Sequence, residues 1–137
     1  MRTIDTIQVG DSESFTKTVT ETDIIMYAGI SGDFNPAHIN AEAAKDSMFG
    51  QRIAHGMLSA GFISNVLGMK LPGPGTIYMG QELKFLKPVY IGDTVTATAT
   101  VTERIEEKNR LKLETVVTNQ KGETVITGFA TVMPPKA

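Results

Sequence analysis

Residues 57–69 decide most of what this chain can fold into. Met57, Leu58, Ala60, Phe62, Ile63, Val66, Leu67 and Met69 leave almost no polar face, with Ser59, Ser64 and Asn65 as the polar interruptions. A helix apolar nearly all round must be wrapped by the rest of its domain. At 1.5 Å per residue it spans about 20 Å, enough to cross a small core but short of the ~18 residues of a membrane helix. The string Leu71-Pro72-Gly73-Pro74-Gly75 stops it.

Downstream, the pattern changes to a period of two. Ile77, Met79, Leu83 and Phe85 alternate within 76–86, and Thr alternates with Val95, Ala97, Ala99 and Val101 within 94–103. Further strands run through Leu111, Leu113 and Val117 and through 124–133, with turns at Gly92-Asp93, at the charged tip 106–109 and at Asn119-Gln120-Lys121-Gly122. One buried helix followed by three or four long antiparallel strands is an α+β layout, a sheet curled around a helix. The sheet's open edges invite pairing with a second copy, so a two-fold homodimer is expected. Upstream, Phe15-Thr16-Lys17-Thr18-Val19 reads as β. Thr20 or Thr22 caps a helix running to about Ile30, and Asn40 caps a second short helix over 41–47 that Gly50 ends.

Composition narrows the class. With 137 residues, 41% hydrophobic and 20% charged, the chain reads as one soluble globular domain over 1–137. A net charge of -2 with no basic block gives nucleic acid or an anionic membrane nothing to hold. The absence of cysteine removes disulfides, thiolate metal sites and a cysteine nucleophile together. The first residues, Met1-Arg2-Thr3-Ile4-Asp5, carry no apolar signal core, and a cytoplasmic protein is expected.

The chemistry gathers in Ser31-Gly32-Asp33-Phe34-Asn35-Pro36-Ala37-His38, which holds one of the two histidines. Pro36 fixes its own φ and keeps Asn35 out of the helical region, and Gly32 admits angles closed to other residues. Asp33 and His38 can therefore point to one place, where a carboxylate and an imidazole share acid and base duties. The same residues also read as a turn with Asp33 as a cap and His38 as a packed core histidine. The second histidine lies in Ala54-His55-Gly56-Met57. Two histidines in separate phrases form no metal-ligand spacing, and Gly73-Pro74-Gly75 lacks the lysine of a phosphate loop.

Tyr27-Ala28-Gly29-Ile30-Ser31-Gly32-Asp33-Phe34-Asn35-Pro36-Ala37-His38, followed by Ala44, resembles the signature of the MaoC-like dehydratases. Within them the chain is most similar to the short R-specific enoyl-CoA hydratases. Ala54-His55-Gly56-Met57-Leu58, Leu71-Pro72-Gly73, Ile77-Tyr78-Met79-Gly80-Gln81 and Pro88-Val89 before Gly92-Asp93 extend the resemblance over nearly the whole chain. Ala37 departs from it, standing where the signature has Ile, Leu or Val.

The resemblance implies a hotdog fold, a dimer with acyl-thioester sites at the subunit interface, and no cofactor beyond the CoA thioester substrate. It implies that Asp33 and His38 are the catalytic pair, with Gly56 offering its N–H to the thioester oxygen. The reaction would be reversible syn hydration of a trans-2-enoyl-CoA to the (R)-3-hydroxyacyl-CoA. Asn35, His55 and Ser64 are supporting candidates: Asn35 to hold the loop or a water, His55 to orient the loop or to take a direct part in catalysis, Ser64 to steady the carboxylate or to bond back to a helix carbonyl. The competing functions are a 3-hydroxyacyl-thioester dehydratase on CoA or acyl carrier protein, a hotdog thioesterase, and a non-catalytic acyl-binding subunit. The thioesterase usually needs an acidic residue near the central helix, and 57–69 has none.

Overall fold

The computed structural model describes residues 2–137. Its elements are β1 (Ser12–Thr18), α1 (Glu21–Ser31), α2 (Pro36–Ile39), α3 (Ala41–Ala44), α4 (Gly56–Met69), β2 (Ile77–Phe85), β3 (Thr94–Ile105), β4 (Arg110–Thr118) and β5 (Thr124–Met133). The strands form one five-stranded sheet in the order β1-β3-β4-β5-β2, antiparallel throughout. The α+β arrangement of a curved sheet around a central helix, the hotdog fold, is as expected. Two elements differ from the pattern reading. The β-type run before α1 is a full edge strand, and α3 ends at Ala44 with turns filling the stretch to Gly50.

Alternation builds the core. Val95, Ala97, Ala99 and Val101 of β3 point inward, as do Leu111, Leu113 and Val117 of β4, and meet Ile63, Val66 and Leu67 of α4. Each large aliphatic buried this way contributes roughly 1.5–3 kcal/mol. Ala97 and Ala99, both buried, are small enough to leave α4 room against β3. On the outer face the threonines pair across strands: Thr16 with Thr96 at 2.8 Å and Thr18 with Thr94 at 2.7 Å.

α4 is buried on its sheet side only. Met57, Gly61, Ser64 and Met69 remain at the surface of the protomer, Met57 at 53% and Met69 at 66% exposure. Beside this stripe runs β2, an edge strand carrying Ile77, Tyr78 and Met79 to solvent. The other edge, β1, is blunted by serine, glutamate, lysine and threonine. Among the described residues no helix is long and apolar enough to cross a membrane.

Candidate active site

α1 delivers the site. Thr20 accepts from the Asp23 N–H while Asp23 accepts from the Thr20 N–H, a capping box that fixes where the helix starts. Gly32, at φ 78°, ends it in the left-handed conformation. The loop beyond is held by a ladder of side chains, each bonding two residues onward. Ser31 Oγ accepts from the Asp33 N–H at 3.1 Å, Asp33 Oδ1 from the Asn35 N–H at 3.2 Å, and Asn35 Oδ1 from the Ala37 N–H at 3.1 Å. Asn35 is thus the N-cap of α2, with Pro36 as its first residue. The ladder uses one Asp33 oxygen, Oδ1, and leaves Oδ2 outside it.

His38 sits in α2 at 9% exposure. Its Nδ1–H donates to the Ile53 carbonyl at 2.8 Å, which leaves Nε2 as the nitrogen that can exchange a proton. Arg52 fastens the same turn: its Nε–H donates to the His38 carbonyl at 2.7 Å and its Nη1 pairs with Glu21 at 2.5 Å.

His55, 2% exposed, closes the cluster. Its ring stacks on His38, centroids 3.9 Å apart at 28°, with Tyr27 near it at 4.8 Å. Its Nε2–H donates to the Asp33 main-chain carbonyl at 2.9 Å. Asp33, His38 and His55 therefore bring side-chain atoms within 4.8 Å of one another. Such a trio also has ligand types for a metal. Each ring already spends one nitrogen on a main-chain carbonyl, which fixes its orientation and leaves its other nitrogen for a proton or an ion. A carboxylate and two imidazoles held this close can exchange protons with a molecule bound beside them.

Gly56 is the first residue of α4, where N–H groups lack helical acceptors and the dipole is positive. A β-carbon there would lie 2.6 Å from the Phe85 ring, so glycine is what lets Phe85 close over the helix end. Gly56, His55, Ser59, Phe49, Phe85 and Ile126 are among the walls of a mostly apolar cleft of about 540 Å³. Ser64 lies elsewhere, two turns along α4 in an open groove of about 550 Å³ with Tyr78, Met79 and Gln81. Among the described residues no hydrogen bond joins it to Asp33. The cations nearby are engaged within the protomer: Arg52 as above, Lys70 with the Ser14 carbonyl and Lys87 with Glu123 at 2.5 Å. Pattern reading missed the Ile53 carbonyl that sets the His38 tautomer and the role of Ser59 as a cleft wall; neither has a signature in spacing.

A family model described as the MaoC like domain matches residues 7–125. The chain is 57% identical to the (R)-specific enoyl-CoA hydratase of Rhodospirillum rubrum, over 94% of this chain and 89% of that protein. It is 42% identical to the 3-hydroxybutyryl-CoA dehydratase of Methylorubrum extorquens, over 95% of this chain and 82% of that one. Its structure superposes on the unliganded R-hydratase of Pseudomonas aeruginosa with a TM-score of 0.94 at 41% identity, covering 98% and 86% of the two chains. Fold, loop and sequence thus agree along almost the whole length, and the chain belongs to the MaoC-like family.

Proposed function

We propose that the protein is an (R)-specific enoyl-CoA hydratase, adding water reversibly to a trans-2-enoyl-CoA to give the (R)-3-hydroxyacyl-CoA. The observation that carries this is the convergence of the Asp33 carboxylate and the His38 imidazole, each fastened through main-chain bonds, beside the amino end of α4. A water between them gives up a proton as its oxygen attacks the β-carbon. The pair returns a proton to the α-carbon on the same face, which makes the addition syn. The two groups act as one unit. Charge growing on the thioester oxygen is met by the Gly56 N–H and the helix dipole. Acid–base chemistry of this kind calls for no metal or further cofactor.

The same site run backwards is a 3-hydroxyacyl-CoA dehydratase, the reading that the Methylorubrum relative favours. Both directions use one transition state. Mixed with crotonyl-CoA, the purified protein is expected to remove the enoyl-thioester absorbance and yield the R alcohol. An S product, or no loss with any enoyl chain length or carrier, would overturn the assignment.

The working unit in this reading is a two-fold homodimer, formed through β2 and the open stripe of α4. Exposed Ile77 (53%), Tyr78 (39%) and Met79 (48%) on an unpaired edge support it. Light scattering is expected to give twice the chain mass, and a monomer mass for active protein would remove this part. A cytoplasmic location goes with a CoA-thioester substrate.

A further inference from the structure

Ser59 stands three residues after Gly56 on α4 and is fully buried. Its Oγ has no hydrogen-bond partner among the described residues. Buried hydroxyls are nearly always paired, and an unpaired one costs stability. Alanine at this position would also be a better helix former. The fold itself thus supplies this hydroxyl with no partner among the described residues. Ser59 lines the same cleft as Gly56, and so does His55, whose Nδ1 is a second buried polar atom without a partner among the described residues.

The direction of the cleft tells what it takes. A thioester carbonyl docked on the Gly56 N–H has two substituents, the enoyl carbons and the sulfur arm. The enoyl side must face Asp33 and His38, and neither of these lines the cleft. The cleft is left for the sulfur side. Ser59 lies about 4.5 Å beyond Gly56 along the helix axis. In a pantetheine arm, the first amide follows two carbons after the sulfur, a comparable reach.

We propose that Ser59 is a binding residue for the carrier arm, its hydroxyl hydrogen-bonding the amide nearest the thioester. This rests on the hydratase reading above. CoA and acyl carrier protein share the arm, so the contact serves either carrier.

The test is Ser59→Ala, assayed with crotonyl-CoA, with crotonyl-pantetheine and with S-ethyl thiocrotonate, which has no amide. The expected result is a rise in KM of about three- to tenfold for the two amide-bearing substrates, the range of one net hydrogen bond. kcat should hold, S-ethyl thiocrotonate should be unaffected, and the variant should melt no earlier than the wild type. An equal loss on all three substrates, or no loss on any, would overturn the proposal. Calorimetric titration with CoA itself, wild type against variant, reads the contact without turnover. If the wild type hydrates no enoyl thioester, the functional reading fails by itself, and the titration still decides on Ser59: equal affinities sink the contact, and a threefold or greater weakening keeps it.

Discussion

Asp33→Asn and His38→Gln are each expected to lower turnover of crotonyl-CoA by about 10²–10⁴-fold, the usual contribution of a positioned acid or base. That range corresponds to about 3–5 kcal/mol of barrier. Asparagine at position 33 keeps a carbonyl oxygen where Asp33 Oδ1 accepts from the Asn35 N–H, so the loop ladder survives while the proton acceptor is lost. Glutamine at position 38 loses the stacking on His55 as well, and a modest fall in melting temperature is expected there. The double variant should be scarcely slower than the worse single one, because two groups that handle the same water fail together. kcat from the absorbance assay and melting by circular dichroism separate the two effects. Wild-type turnover in both single variants would end the assignment of this pair.

Local pattern was enough for much of this. The apolar run of α4, the alternating strands, the Thr20 cap, and the glycine and proline that bend the 31–38 loop all act within a few residues of themselves. So does the meeting of Asp33 and His38, since Asn35 and Pro36 set a single helical turn between them. What stayed out of sight depends on distant main chain. His55 bonds a carbonyl 22 residues upstream and His38 one 15 residues downstream, and every residue carries such a carbonyl. The open stripe of α4 was also hidden: Met57 and Met69 are as apolar as Ile63 and Val66, and only the path of β2 decides which of them the sheet covers. Ser64 shows the same limit. Its place on the helix was legible, but its groove, apart from Asp33 within the protomer, was not.

Gly128→Ala is expected to be the most destabilising single methyl in the protein. Gly128 is buried in β5 opposite Leu83 of β2, in a register that runs from Phe85 to Gly80. A β-carbon there would overlap the Glu82 carbonyl oxygen, lie 2.8 Å from its carbon and 3.2 Å from Leu83 Cα. The backbone at Gly128 is not left-handed, so the constraint is space and not conformation. Gly56 offers the contrast. Its obstacle is the Phe85 ring, which is half exposed and can turn aside, whereas at Gly128 the obstacle is main chain. The methyl can be housed only by parting β2 from β5. Loss of at least about 3 kcal/mol is expected, the upper range for an overpacked core. For a chain of this length that is a fall of roughly 10 °C in melting temperature. Because β2 walls the α4 groove and forms the proposed dimer edge, light scattering on the variant should show monomer or aggregate at temperatures where a dimer is expected of the wild type. A variant that melts with the wild type would mean that β2 does not lie against β5 in this register, and the dimer edge would have to be sought elsewhere.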